Sequence, residues 1–538
     1  IYVEPNELKG GAKGLPEYTR RANFPSPWPG GWWRLGDIID YERVATGALL
    51  ESVATHDKDI LANFARMGRE AAERGREGPP YAFLVPPQQH DPVAAGEMVE
   101  LMIRHGVRVL LARGAFTVGR CTYPAGTAVI PADQPYREFM VTMLRPQRYP
   151  EVVAYQGGPI LPPYDATTWS LPLSMGVELE EASEPVNAPA QATDAPAWPA
   201  GHVNASVGGW LIPHAADTAP ALVNRLLKGN AAVYWLEDPP AGATVGDIWV
   251  PGDALSSTRL AELTTDLHLP LRALARKPTG RAFQVAAPRV GLYQPWTANI
   301  DEGWTRFLLD RYEMPYQVLH NDAMRQGTYA GSTDVMLLAD MAPEVIRYGV
   351  AASHYGGTSV PPEYQGGLGE DGANALKRWV LEGGTVVALN DSSEYLIDLL
   401  DLPVSNALAK MDRQVFSCPG SMLRILVDTS NPLAYGLRAE EAAYFDDSPA
   451  FTTRIPDGRF ERRVVARYPV DRRDILLSGY LKGEALLARR AAVVDVHVGK
   501  GRVVLIGFKP QARAQTHRTF KLLFNALYLP TLQEVNLE

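Results

Sequence analysis

Residues 385–393 read Thr385-Val386-Val387-Ala388-Leu389-Asn390-Asp391-Ser392-Ser393, and Tyr395, Leu396 and Leu399 follow at helical spacing. An unbroken apolar, β-branched run ending in a polar turn predicts a buried strand, a tight turn and a helix. Because the run lacks polar alternation, the strand is expected to be covered on both faces, as in a parallel sheet lying between helices. The flanking sequence agrees. Residues 290–293, 316–319 and 334–338 predict further strands, with helices over 302–312 and 372–382. Residues 491–496 and 502–508 predict two more strands around Gly499-Lys500-Gly501, whose glycines suit a hairpin turn. A helix over 516–528 closes the chain. The region from Arg281 onward therefore predicts an α/β fold, a flavodoxin-like doubly wound parallel sheet with Asp391 at the carboxyl edge of a central strand.

Upstream, a strand-helix-strand order appears twice. Residues 81–86, 92–105 and 107–111 form the first instance, followed by a hairpin-like excursion over 123–131 and another helix. Residues 210–213, 219–227 and 232–236, with a strand over 246–251 and a helix from Ser256, repeat it about 125 residues later. Residues 185–199, rich in Ala, Pro, Glu and Asp without periodicity, read as a linker or exposed loop. Before the first unit, residues 1–36 are dense in Gly, Pro and Trp. From Asp37, a candidate cap, the stripe Ile38, Tyr41, Val44, Leu49, Val53, Ile60, Phe64 predicts one long amphipathic helix reaching Met67. The expected divisions are residues 1–78, 79–184, 185–280 and 281–538, so the chain is an α/β protein of several units.

Length supports several units, since 538 residues exceed what one core of about 250–300 residues can serve. A hydrophobic fraction of 46% and a charged fraction of 21% are those of a folded globular chain. The net charge of −9 and the lack of a Lys/Arg run argue against a nucleic-acid partner. No apolar stretch reaches the ~18 residues that a membrane span requires. Cys121 and Cys418 are too few for a disulfide scaffold or a cysteine zinc site, and read as two buried thiols.

The histidines offer no peptidase motif. None has Glu at the third following position, and His56 with Asp59 reads as a solvated helix face. No catalytic residue stands out, and the pocket candidates are Asp391, Ser392, His354 and Glu363. The turn after residue 389 is where a nucleophile elbow would stand, yet the glycines such an elbow uses are missing around Ser392. His354 and Glu363 belong to a glycine-dense loop, residues 354–369, expected over the same sheet edge. That loop lacks the G-x-G-x-x-G spacing of a dinucleotide site, and no cofactor is read from this chain. Trp28, Trp32, Trp33 and Tyr41 could stack a sugar, but core packing is the simpler expectation.

Several strings carry a resemblance: residues 30–42 (Gly-Gly-Trp-Trp-Arg-Leu-Gly-Asp-Ile-Ile-Asp-Tyr-Glu), 134–137, 162–173, 299–306 and 515–525. They resemble the C-terminal region of large bacterial zinc carboxypeptidase-like proteins, relatives of carboxypeptidase A (metallopeptidase family 14). The resemblance spans essentially the whole chain. It implies that residues 1–78 hold the tail of a carboxypeptidase-like domain, that the zinc ligands and catalytic Glu lie upstream, and that zinc belongs there. It further implies an extracellular or periplasmic location and a last domain like the class I glutamine amidotransferases. An active amidotransferase has Cys at the elbow, whereas this chain has Asn390-Asp391-Ser392 there. The implied role is a non-catalytic accessory region, partnered by the upstream peptidase domain or its cleaved product, by a peptide or protein ligand, or by further copies of itself. The alternatives are an independent hydrolase at the sheet edge and a self-assembly module.

Overall fold

The structure, a computed structural model, describes residues 1–8, 18–22, 24–161, 163–199, 201, 203–350, 353–354, 358–455 and 457–538. Its architecture rests on three larger sheets, of five, six and twelve strands. In the first, Ala128–Pro131 lies between Ala82–Val85 and Val109–Ala112, antiparallel to both, with Glu180–Ala182 and Ala190–Thr193 on the two edges. In the second, Ile248–Val250 lies between Trp210–Ile212 and Val233–Leu236 in the same way, flanked by Arg272–Ala273 on one side and Gly280–Val285 on the other, with Gln533–Leu537 added outside the latter as the sixth strand. The two five-strand orders are identical. Pro92–Arg104 and Ala219–Lys228 are the matching crossover helices.

Two expectations change here. Residues 128–131 are a central strand rather than an arm of a hairpin, because Ala128, Val129 and Ile130, all buried, gain more in the sheet than at its rim; the hairpin is Phe116–Val118 with Cys121–Tyr123. Residues 185–199 are not wholly a linker, because Ala190–Thr193 supplies an edge strand whose main chain, not its side chains, makes the pairing. Trp198, just beyond it, joins the two units. Its ring stacks on His268 at 4.0 Å and 5°. It also packs on Gly96, where a Cβ would stand 2.4 Å from the indole, so that only glycine allows this seat.

The third sheet holds five strands in parallel: Tyr316–Leu319, Val290–Tyr293, Val335–Leu338, Thr385–Leu389 and Gly501–Ile506, in that spatial order. Thr385–Leu389 is central and fully buried, as its composition requires. The sheet then continues antiparallel through Ala491–Val498, Phe460–Arg467, Ser421–Val427 and Glu440–Phe445. It is thus a mixed sheet: the antiparallel pair expected around Gly499-Lys500-Gly501 is present, and it opens a larger antiparallel extension than the doubly wound parallel sheet expected. The Gly499-Lys500 turn reverses the chain, and the antiparallel strands precede the last parallel one as an excursion. The boundary expected at residues 280/281 falls inside Gly280–Val285, and Gln533–Leu537 returns to pair with that strand in the second sheet.

The amino-terminal helix is also two. Leu35–Thr55 and Asp57–Glu77 meet at His56, whose φ and ψ of −116° and 21° leave the helical region. Asp37 is inside the first turn and accepts from the Arg34 N–H, 2.7 Å away, instead of standing at the cap. The apolar stripe is exposed: Leu49, Leu61, Phe64 and Met67 all face solvent. Trp32 and Tyr41 are exposed as well, so the tryptophan-rich segment is a surface cluster and not core. Cys418 is buried but Cys121 is exposed, and both are free thiols. No helix of the described residues is long and apolar enough to cross a membrane.

The three units meet on the C-terminal helix, His517–Tyr528, in which every residue but Arg518 is buried. Apolar Phe520, Leu523, Phe524 and Leu527 fill the core. The polar residues at four-residue spacing face one direction. His517 reaches Asp217, Lys521 reaches Asp91, and Asn525 reaches His214.

Candidate functional site

Ligands of parallel α/β sheets lie beyond the carboxyl ends of the strands. Here that edge begins with Asn390, which follows Thr385–Leu389 and has a φ of +52°. The turn from strand to helix puts this residue in the left-handed region, and Asn tolerates it better than most side chains. Asn390 is buried, its N–H bonds the Ile506 carbonyl at 2.7 Å, and its Oδ1 has no partner among the described residues.

The two expected candidates beside it differ. Ser392 is fully buried and committed to backbone, donating to the Ala339 carbonyl while accepting from the Met341 N–H at 3.2 Å. Its hydroxyl ties this turn to the neighbouring loop and is not presented to a substrate. Asp391 is only partly buried. Its N–H bonds Asp340 Oδ1 at 3.2 Å, and its carboxylate receives a long bond from Asn390 Nδ2 at 3.4 Å. Burial, with the Asp340 and Glu394 carboxylates nearby, pushes Asp391 up to about 7.

Lys509, after the last parallel strand, organises the neighbouring acids. Its Nζ lies 3.1 Å from Asp340, 3.3 Å from Asp301 and 3.3 Å from Asp446. Burial opposes its charge, but those carboxylates more than offset this and hold the ammonium well above its usual range. Asp301 is raised by burial despite the lysine. Four carboxylates therefore surround one ammonium, and Asp391 is the one without a bond to it.

Along the same edge the next strands carry aromatics. Trp296 follows Val290–Tyr293 and stacks on His320, which follows Tyr316–Leu319, at 3.9 Å and 11°; Tyr364 meets the indole edge-on at 4.7 Å. Glu363 precedes Tyr364 on the turn Pro362–Tyr364 and is exposed. His354 falls in the two-residue strand Ser353–His354, and its side chain lies outside the described residues, as does part of its glycine-dense loop. Gathering of His354 and Glu363 with Asp391 is thus not part of the described geometry.

A second cluster lies at the junction of the three units. His517 Nδ1 is 3.0 Å from Asp217 Oδ2 and 3.4 Å from Glu97 Oε2, and the three ligand atoms lie within 4.8 Å of one another, close enough to hold a metal ion. The surrounding charges suit a proton better. Arg311 bonds Glu97 at 3.0 Å, Lys521 bonds Asp91 at 3.3 Å, and the Tyr312 hydroxyl donates to Asp217 at 2.5 Å. With an imidazolium, the carboxylates of Asp91, Glu97 and Asp217 face the cations Arg311, His517 and Lys521 one for one. Burial would deprotonate His517, but Asp217 overrides it and raises the imidazole. A divalent ion in place of the proton would leave the enclosure with surplus positive charge.

The residues missed from the sequence are those that only the fold assembles. Asp340 and Lys509 do follow apolar strand-like runs, and scanning strand ends for charged residues finds them. Nothing local marks Glu97, Asp217 and His517, which come from three units.

No family model matches the chain, and no curated protein does. Among solved structures it is similar to a cytoplasmic protein of Salmonella typhimurium over 47% of this chain and 100% of that one, at 11% identity and a TM-score of 0.28. A ThuA-like protein of Bacteroides uniformis matches 45% of this chain and 89% of its own, at 12% identity and a TM-score of 0.28. A beta-galactosidase of Bacillus circulans matches 50% of this chain and 34% of its own, at 14% identity and a TM-score of 0.25. Likenesses this distant carry no inference about the chemistry of the chain.

Proposed function

We propose that this chain is a non-catalytic, ligand-binding accessory region of an exported protein resembling the zinc metallocarboxypeptidases, in which the zinc and the peptide hydrolysis belong to residues upstream. In this reading its C-terminal unit is a flavodoxin-like scaffold of the class I glutamine amidotransferase type, used for binding. The scaffold assignment draws support from the parallel strands, whose spatial order is second, first, third, fourth and fifth in chain order.

The observation that carries the reading is the turn at residues 390–392. A catalytic elbow offers its nucleophile from the strained residue. That residue is Asn390, whose amide is no nucleophile, and the adjacent Ser392 hydroxyl is enclosed and bonded to backbone. The exposed apolar stripe of Leu35–Thr55 and Asp57–Glu77 supports a covering partner, and an upstream peptidase domain is the one proposed. The test is direct. The purified chain should carry no stoichiometric zinc and release no carboxyl-terminal amino acid from peptides above background. One equivalent of zinc with chelator-sensitive trimming would overturn the reading.

One observation favours a second reading, a hydrolase that uses Asp391. A carboxyl group near 7 at a strand end can exchange protons at neutral pH. That reading requires ester or amide turnover that Asp391→Ala abolishes.

A further inference from the structure

We propose that the carboxyl edge of the parallel strands binds a saccharide, stacked on Trp296 and donating hydroxyl protons to the acceptors around Asp340, Asn390 and Asp391. The proposal deepens the binding role above and names its ligand class. It begins with placement. His320, Trp296, Asp340, Asp391 and Lys509 each follow one of five neighbouring strands, which lie about 4.8 Å apart, so all five residues stand beyond the same edge. One end of that edge is aromatic and the other acidic.

At the aromatic end, Trp296 and Tyr364 are each 39% exposed although both are held by neighbours. The His320 ring lies flat against the indole and Tyr364 braces its edge. A fixed, partly bare indole is a platform for the C–H face of a pyranose ring, which gains contact area without losing any of its hydroxyl hydrogen bonds.

At the acidic end the unmet need is for donors. Lys509 is spent on Asp301, Asp340 and Asp446, leaving Asp391 without a bonded cation. An independent sign comes from buried polar atoms that have no partner among the described residues. Four of these, Thr297 Oγ1, Asn390 Oδ1, Ser393 Oγ and Gln511 Oε1, belong to residues just beyond the strands Val290–Tyr293, Thr385–Leu389 and Gly501–Ile506. Asn390 and Ser393 are 2% and 0% exposed, and the Asn390 amide contacts Asp391. Leaving a buried polar atom unpaired is unfavourable, and these four, of the twelve such atoms among the described residues, lie beyond strand ends on one edge of one sheet, where a ligand would supply the missing partner.

Carboxylates and amide oxygens accept hydrogen bonds, so the partner must donate. A phosphate or carboxylate ligand meets like charge here. A divalent cation meets the Lys509 ammonium already lodged among the carboxylates. A neutral polyol supplies several donors without added charge, and the aromatic platform selects a ring over a linear polyol.

The full chain should be titrated with a panel of neutral mono- and disaccharides by calorimetry and saturation-transfer NMR, with putrescine and inorganic phosphate as counter-probes. At least one saccharide should bind and change the tryptophan fluorescence. Trp296→Ala should weaken that binding about tenfold, and Tyr364→Ala should weaken it less, with unfolding midpoints unchanged. Asp391→Asn should weaken it several-fold. The proposal is overturned if no saccharide binds, if binding survives Trp296→Ala unchanged, or if putrescine or phosphate binds and saccharides do not. A chain that neither binds saccharides nor hydrolyses anything ends this proposal and leaves the accessory reading standing. Peptide trimming ends the accessory reading whatever the saccharides do.

Discussion

At the junction of the three units, Asp91, Glu97 and Asp217 are met by Arg311, His517 and Lys521. At the carboxyl edge of the parallel strands, Lys509 pairs with Asp301, Asp340 and Asp446, and Asp391 stands beside them with no ion pair among the described residues. Both clusters are built from side chains distant in sequence and both hold an unpartnered buried acceptor, Asp217 Oδ1 in the first and Asn390 Oδ1 in the second, yet only in the first do cations match carboxylates one for one. A charge set that balances inside the protein has done its work once the units dock. A set left with surplus acceptors and orphaned amides is incomplete until something else arrives. The difference separates a cluster that holds the fold together from one available for binding.

The most severe way to break this comparison is to remove the imidazole at the junction. His517→Ala leaves Asp217 buried beside Glu97 without its cation, and should cost about 3–5 kcal/mol in urea unfolding at pH 6. A loss below about 1 kcal/mol would mean that the junction is not closed as described.

At the edge the opposite sign is expected. Asp391 is raised to about 7 in the folded chain against an unfolded value near 4. Its contribution is fully present below about pH 4 and is lost as the pH climbs through 7, where the folded state must carry a poorly solvated charge. Asp391→Asn removes that charge and should stabilise the chain by about 2 kcal/mol at pH 8, with no gain at pH 4. Chemical denaturation at the two pH values measures it. A loss at pH 8 would show that the charge is as well served as those at the junction.

A milder pH effect sharpens the junction. The raised His517 gives stability that is complete below about 6.5 and declines as the pH rises through its folded value. The wild type should therefore lose stability across that window through both His517 and Asp391, whereas His517→Ala should keep only the shallower loss that Asp391 brings. The facing groups Asp217, Glu97, Arg311, Tyr312, Lys521 and Asp91 are present in both proteins, so the difference between the two curves reports the imidazole together with the carboxylates it holds ionised. The smallest effect is expected at Glu363, on an exposed turn; Glu363→Ala should change stability by less than about 0.5 kcal/mol.

The strands and helices of the third unit are legible because each carries its own signature. Val386 to Leu389 is apolar enough to be nothing but a covered strand, and Gly499-Lys500 turns as its glycine suggests. The doubling of the first two units is legible from order and spacing. Insertion of residues 128–131 and 248–250 between the strands of each unit is not, since pairing partners leave no local trace. The break at His56 is hidden because the apolar stripe runs across it in register. At the site, Asp391 can be found from its place after a strand, and the role of Ser392 cannot, because its acceptor is a main-chain carbonyl supplied by another strand.

The pairing of Gly280 with Leu537 and of Gln284 with Gln533 bears on how the chain is made. During translation the first unit has all its strands once residue 193 has left the ribosome. The second does not, because the strand Gly280–Val285 keeps one hydrogen-bonding edge open while the whole third unit is synthesised. Through that interval the nascent protein carries an unpaired β-edge, and its most aggregation-prone moment should come late in synthesis. Chaperone capture would be expected to concentrate on chains stalled between residues 285 and 533.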